Sequence, residues 1–234
     1  MRHKIISFVQ GLNFLFSYLF QNSFSEIKFL KTIILDNKVV IDVGSNLGSF
    51  IKILNSINKK TEIYSIEPNL ELINFQKNRF KNKNNIKYFN IAIDSKNGSR
   101  KFYIRNPASH SSVFKKHIDE KINTIRETVD VEAVSLENFI NEQNIKKITL
   151  LKIDIEGLDY EVLFSTKSLL KNNIIEFVKI EANRESIERI MAFAYKQNLK
   201  FLGISKAFYL KNQFNMMDLY FENKNSIKKS DTQF

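Results

Sequence analysis

Between residues 38 and 67 the chain switches twice between the periods of a strand and a helix, and it places a glycine turn at the first switch. Lys38-Val39-Val40-Ile41-Asp42-Val43 is a short β-branched run ending at Gly44, the pattern of a strand buried on both faces. Leu47 to Asn58 then sets Leu47, Phe50, Ile51 and Leu54 at helical spacing. Thr61 to Glu67 is a second apolar run, stopped by Pro68. Two such runs joined by a helix leave few options, because parallel strands need a right-handed crossover.

The rest of the chain extends this unit. Asn69 to Phe80 predicts a helix with Asn69 as its N-cap, and Ile86 to Ile93 predicts a third strand. Ser99 to Arg105 and Val129 to Val134 alternate, and they are expected to pair around a polar stretch from Asn106 to Thr128. A short helix over Leu136 to Asn141 leads into a fourth core strand, Ile148 to Asp154. Leu158 to Leu170 predicts a helix, Ile174 to Glu181 a fifth strand, and Arg184 to Gln197 a helix. Leu199 to Ser205 and Met217 to Glu222 follow with no helix between them, so they are expected to be antiparallel. The fold class is therefore α/β: a mostly parallel seven-stranded sheet with an antiparallel last strand and helices on both faces.

A chain of 234 residues suits one such domain. Residues 1–36 are expected to form an N-terminal helical segment, 37–224 the domain, and 225–234 a disordered tail. In the first segment Ile5, Phe8, Val9, Leu12, Leu15, Phe16 and Leu19 share one helical stripe behind Arg2 and Lys4. That stripe can pack on the domain, or serve as a peripheral membrane or dimer contact; it is too short to span a bilayer comfortably. The absence of cysteine removes disulfides and thiolate chemistry and fits a cytoplasmic protein. The net charge of +11 comes from lysines scattered along the chain. No aromatic-interleaved arginine cluster accompanies them, so no nucleic-acid partner is expected.

Chemistry concentrates at the strand ends. Gly44 and Gly48 flank the first strand–helix turn, but position 46 is Asn, so the Gly-x-Gly-x-x-Gly pattern of a dinucleotide site is broken. A ligand carrying an amino acid carboxylate rather than a pyrophosphate suits that turn better. Glu67 closes the second strand, where an acid accepts hydrogen bonds from a ribose diol. Asp154, Glu156 and Glu181 close the fourth and fifth strands and converge on the same edge. Spacing alone does not arrange these three acids for Mg²⁺, and no metal is assigned. His110, in the polar stretch, is a second candidate base because its ordinary pKa suits neutral pH. Lys152 allows two readings, a stem packed on the sheet with a solvated tip or a substrate contact.

Three segments carry a resemblance. Val40-Ile41-Asp42-Val43-Gly44-Ser45-Asn46-Leu47-Gly48, Ile66-Glu67-Pro68-Asn69 and Leu150-Leu151-Lys152-Ile153-Asp154-Ile155-Glu156-Gly157 resemble the FkbM-type methyltransferases in order and spacing. Asn90 to Ile93, the Ser111-Ser112 pair and Val131 to Phe139 are similar as well. The resemblance spans residues 38–182. It implies a Rossmann-like class I fold, S-adenosyl-L-methionine as cofactor, and methylation of an oxygen on a sugar, glycan or other small metabolite. Carried over by position, Asp42, Gly44, Asn46 and Gly48 line the methionine half, Glu67 holds the ribose, and Asp94 approaches the adenine. Asp154 is then the first candidate base, with Glu156 and His110 beside it, and Ser111, Ser112 and Glu181 face the acceptor. Ser45 and Asp159 depart from the Ala common at their positions. A catalytically silent binding or scaffold protein is the alternative, and an RNA methyltransferase draws on the basic charge alone, since no Asn/Asp-Pro-Pro-Tyr motif is present.

Overall fold

The computed structural model describes residues 25–106, 111–112, 124–210 and 213–225. The N-terminal apolar stripe, His110 and the C-terminal tail lie outside the described residues.

Seven strands form one sheet in the order β3-β2-β1-β7-β8-β10-β9. They are β1 (Val39–Val43), β2 (Glu62–Ile66), β3 (Ile86–Phe89), β7 (Ile148–Ile153), β8 (Ile175–Asn183), β9 (Leu199–Leu210) and β10 (Gln213–Asn223). The pairs β3-β2, β2-β1, β1-β7 and β7-β8 are parallel. β10 runs antiparallel to both of its neighbours. A second sheet of three strands sets β4 (Ala92–Asp94) beside β6 (Thr124–Ser135), and β6 beside β5 (Gly98–Asn106).

The helices follow from apolar spacing and from side-chain caps. Ser25 caps α1 (Glu26–Ile33) by accepting from the Lys28 amide, and Asn69 caps α3 (Leu70–Arg79) through the Glu71 amide. α2 (Ser49–Ile57) starts behind Gly48, and Ser135 caps α4 (Leu136–Glu142). α5 (Asp159–Ser165), α6 (Lys167–Lys171) and α7 (Ile187–Lys196) complete the set. Among the described residues no helix is long and apolar enough to cross a membrane.

Strand alternation divides the core. On one face Val40, Ile63, Ile86 and Leu150 pack with Leu30, Ile34, Phe50, Ile51 and Leu54 of α1 and α2. On the other, Ile41, Val43, Leu151, Ile153, Val178 and Ile180 pack with residues of α4, α5 and α7. The first face also carries one polar row. Tyr88, Ser65, Asp42, Lys152, Lys179 and Tyr220 are successive register partners from β3 to β10.

Three elements end, break or begin inside their expected span, each because a side chain competes for backbone groups, while β6, β9 and β10 run longer than expected. The strand expected over 86–93 ends at Phe89, where Asn90 Nδ2 donates to the carbonyls of Glu67 and Pro68, and Ala92–Asp94 joins the smaller sheet. The helix expected over 158–170 breaks at Thr166, whose hydroxyl donates to Leu163 O. The last helix starts late, at Ile187, because Asn183 Oδ1 accepts from the amides of Glu185 and Ser186.

Candidate active site at the sheet switch point

Strand order reverses between β1 and β7, and in doubly wound sheets ligands sit beyond the carboxyl ends at such a point. A cleft of about 370 Å³, counted to its open mouth, lies there. Gly44, Asn46, Glu67, Pro68, Asp154 and Glu156 belong to its walls, with Phe102 and Ser111 from the smaller sheet's side. An adjoining apolar space of about 320 Å³ shares Gly44, Pro68, Phe102 and Ile155, and adds Ile66, Ile91, Ile93 and Leu158.

The glycine turn leaves β1 under tight constraint. Gly44 has φ +75°, and a Cβ there would stand 1.8 Å from the carbonyl oxygen of Asp154. The two strand ends therefore abut, backbone on backbone. The amides of Gly44 and Ser45 donate to Ile66 O. Asn46, at φ +52°, donates its amide to Glu67 Oε2 at 3.0 Å, while Oε1 of the same carboxylate accepts from the Asn69 amide at 2.9 Å.

Glu67 is 5% exposed. Burial pushes its carboxyl up to about 7, against the pull of those two amides and of the Lys152 charge. Behind the turn, Gln76 of α3 is fully buried. Its amide nitrogen donates to Ser45 Oγ and Asn46 O, and its oxygen accepts from Ser65 Oγ. Ser45 is thus part of the brace that shapes the turn.

Asp42 does not wall the cleft. It is wholly buried, with Oδ1 2.9 Å from Lys152 Nζ. Lys152, 4% exposed, also stands 3.2 Å from Asp154 Oδ2 and donates to Gly44 O at 3.2 Å. Neither reading offered for Lys152 from the sequence holds, because the tip is neither solvated nor at the cleft wall. Alternation gave its face but not the carboxylates already waiting there. Burial alone would lower its pKa, and the charges of Asp154 and Asp42 outweigh burial and raise it.

The loop after β7 presents the acids. Asp159 Oδ1 and Oδ2 accept from the amides of Ile155 and Gly157, so this side chain, rather than Glu156, shapes the entry to α5. Burial, with the Asp154 charge, pushes the Asp159 carboxyl up to about 6. Glu156 has φ +57°, and among the described residues the other non-glycine ones at positive φ are all Asn. A side chain held in that region carries backbone strain, and here the strained residue lines the cleft. Burial and the charges of Asp154 and Asp159 push its carboxyl up to about 7, with Arg105 pulling the other way.

Glu181 stands opposite Asp218 in the β8–β10 register, outside the cleft wall. Burial and the surrounding acids push its carboxyl up to about 9. Asp94 also lies outside both walls, accepting from Ser95 and from Arg100 Nε. Ser111 Oγ accepts from the Arg105 amide, and Ser112 Oγ accepts from Arg105 Nη1 at 3.1 Å. Arg105, Gln76, Asp159 and Phe102 were missed by the sequence reading. A buried Gln or Arg on a polar helix face or strand carries no signal apart from its neighbours. Among the described residues no three acids or histidines are arranged to hold a metal ion.

A doubly wound sheet of this order, with its cleft at the β1/β7 switch point, is the Rossmann-like class I methyltransferase fold. The sequence model described as Methyltransferase FkbM domain matches residues 42–226. The chain belongs to the FkbM methyltransferase family. Its fold is similar to that of an rRNA methylase from Streptococcus thermophilus, with a TM-score of 0.51 and 10% identity over 84% of this chain and 93% of that chain. TrmK from M. capricolum, solved with S-adenosyl-homocysteine, gives a TM-score of 0.49 and 14% identity, over 86% of this chain and 69% of that one. At these identities the likeness concerns fold alone. No curated protein matches the sequence.

Proposed function

We propose that the protein methylates a hydroxyl of a small molecule or glycan, using S-adenosyl-L-methionine. One observation carries the reading: Gly44 and Glu67, from two different strand ends, wall a single cleft. The residues fit that cofactor. Gly44 and Asn46 of the turn wall the cleft beside the Asp154 strand end, suiting the methionine half, and Gly48 supports the turn by leaving room for Phe80 and Gln76 behind it. Glu67 has further lone pairs to accept from a ribose diol. The apolar annex walled by Ile66, Ile91, Ile93 and Phe102 suits an adenine ring, and Asp94, outside that wall, is assigned a supporting place through its neighbour Ile93 on β4.

When bound, this cofactor supplies an electrophilic methyl carbon. The chain must orient the acceptor oxygen and take its proton. Asp154 and Glu156 stand in the same cleft wall as Gly44. Asp154, ion-paired to Lys152, is the proposed base. Glu156, with a carboxyl near neutrality, is assigned to the acceptor with Ser111. Ser112 and Glu181 are assigned supporting places on the acceptor side, and His110 is kept as the second candidate base.

Isothermal titration with S-adenosyl-L-homocysteine is expected to show binding that Glu67→Ala weakens by about 1–3 kcal/mol, the loss of charge-assisted hydrogen bonds. Incubation with labelled-methyl cofactor should place label in extracted glycans or small metabolites. Label confined to RNA would overturn the acceptor class, and failure of the wild-type protein to bind would overturn the whole reading.

A further inference from the structure

The Lys152 ammonium touches three groups that the sequence keeps apart. Asp42 Oδ1 at 2.9 Å lies on β1, the Gly44 carbonyl at 3.2 Å belongs to the glycine turn, and Asp154 Oδ2 at 3.2 Å closes β7. An ammonium has three protons to donate and no lone pair; here it hydrogen-bonds to the Gly44 carbonyl and forms ion pairs with the two carboxylates. The first is wholly buried; the second and third belong to residues that wall the cleft.

We propose that Lys152 is a positioning residue, which fixes the cofactor-binding turn and the Asp154 carboxylate to each other through one buried cation. The inference rests on the cofactor reading above and adds the element that registers its two halves. Asp42 is the counter-charge that makes the cation tolerable inside the sheet, since a buried ion is costly unless paired. Backbone contact already presses Gly44 against Asp154 O. That contact sets how near the two strand ends lie, and the Ser45 amide on Ile66 O holds the plane of the Gly44 carbonyl, but neither orients the Asp154 side chain. Lys152 ties that carboxylate to the held carbonyl, because swinging it away parts a buried cation from one of its counter-charges. The side chain reaches the ligand through the turn and touches no reacting atom.

The same sheet provides a control. Lys179, the register partner of Lys152 one strand over, is equally buried and paired to Asp218 at 2.6 Å and Glu26 at 2.7 Å. Neither Lys179 nor its partners wall the cleft. A buried ion pair that merely stabilises the fold should behave alike at both places.

The test compares two charge-neutral double variants by melting temperature and by titration with S-adenosyl-L-homocysteine. Asp42→Asn with Lys152→Met is expected to weaken binding about tenfold or more, as for a lost charge-assisted hydrogen bond. Asp218→Asn with Lys179→Met is expected to melt lower but to bind within about twofold of wild type. Wild-type affinity in the first variant, or equal loss in both, overturns the proposal. If the wild-type protein itself fails to bind, the cofactor reading falls instead. A measurement on the unaltered chain covers the case of a variant that does not fold. On adding S-adenosyl-L-homocysteine, the ¹⁵Nζ resonance of Lys152 should shift while that of Lys179 stays in place. A Lys152 resonance blind to the ligand also overturns the proposal.

Discussion

At Gly44 there is no room for any side chain, since a methyl would sit 1.8 Å from Asp154 O, far inside van der Waals contact distance, and the backbone is at φ +75°. Gly44→Ala is therefore expected to destabilise the protein by about 3 kcal/mol or more, from positive-φ strain plus a backbone clash, and to abolish S-adenosyl-L-homocysteine binding in titration calorimetry. A folded variant with wild-type affinity would remove the turn from the site. Glu67 gives a graded counterpart. Its carboxyl is pushed up to about 7 by burial, and only the ionised form offers all its lone pairs to a diol. Affinity should accordingly rise from pH 6 to pH 8, and Glu67→Gln should flatten that dependence. These two residues were legible in the sequence because a glycine after a β-branched run and an acid before a proline each occupy a strand end, where topology dictates the neighbourhood. Lys152 and Gln76 were not, because their roles depend on which buried groups face them across strands that lie far apart in sequence.

Among the elements, α1 precedes the segment matched by the family model, yet it is tied to the sheet by charge as well as by apolar packing. Glu26 accepts from Lys179 Nζ at 2.7 Å and from the Tyr220 hydroxyl, and Phe29 packs edge-on against Phe177 and Tyr220. Lys179→Met would take from Glu26 and Asp218 the buried cation that they share. Chemical denaturation should show a loss of about 3–5 kcal/mol, and a loss below about 1 kcal/mol would mean that water reaches the cluster. Strand and helix identity were legible from periodicity in the core, although β6 begins at Thr124, inside the stretch expected to be a polar connection. Element ends were less so at Asn90, Thr166 and Asn183, where a short polar side chain captures a backbone group that the helix or strand would otherwise use. Those captures are local, but whether one happens depends on where the chain is being pulled next. At Asn90 the pull is from β6, which takes Ala92–Asp94 as its parallel neighbour.

Over the whole molecule, the charge of +11 and the chemistry of the cleft have opposite signs. Lysines spread over the surface, while Glu67, Asp154, Glu156, Asp159 and Glu181 gather at the carboxyl edge of the sheet, with Lys152 and Arg105 as the cations among them. Such a gathering costs stability whenever the acids are ionised. Four carboxyls are raised above their ordinary values: Asp159 to about 6, Glu67 and Glu156 to about 7, and Glu181 to about 9. In each case the folded state holds its proton more tightly than the unfolded chain does. The stability this contributes is fully present below the ordinary carboxyl range and is lost as pH rises through 6 to 9. The protein should consequently melt several degrees lower at pH 9 than at pH 5, with about 1 kcal/mol moving the midpoint by about 2–4 °C in a chain of this size. Glu181→Gln keeps the shape of the protonated acid and cannot ionise, so it should recover part of that fall at pH 9 and change little at pH 5. A melting temperature that is flat or rises between these two values would show that the acids at the sheet edge are solvated and paired well enough to ionise at their ordinary pH.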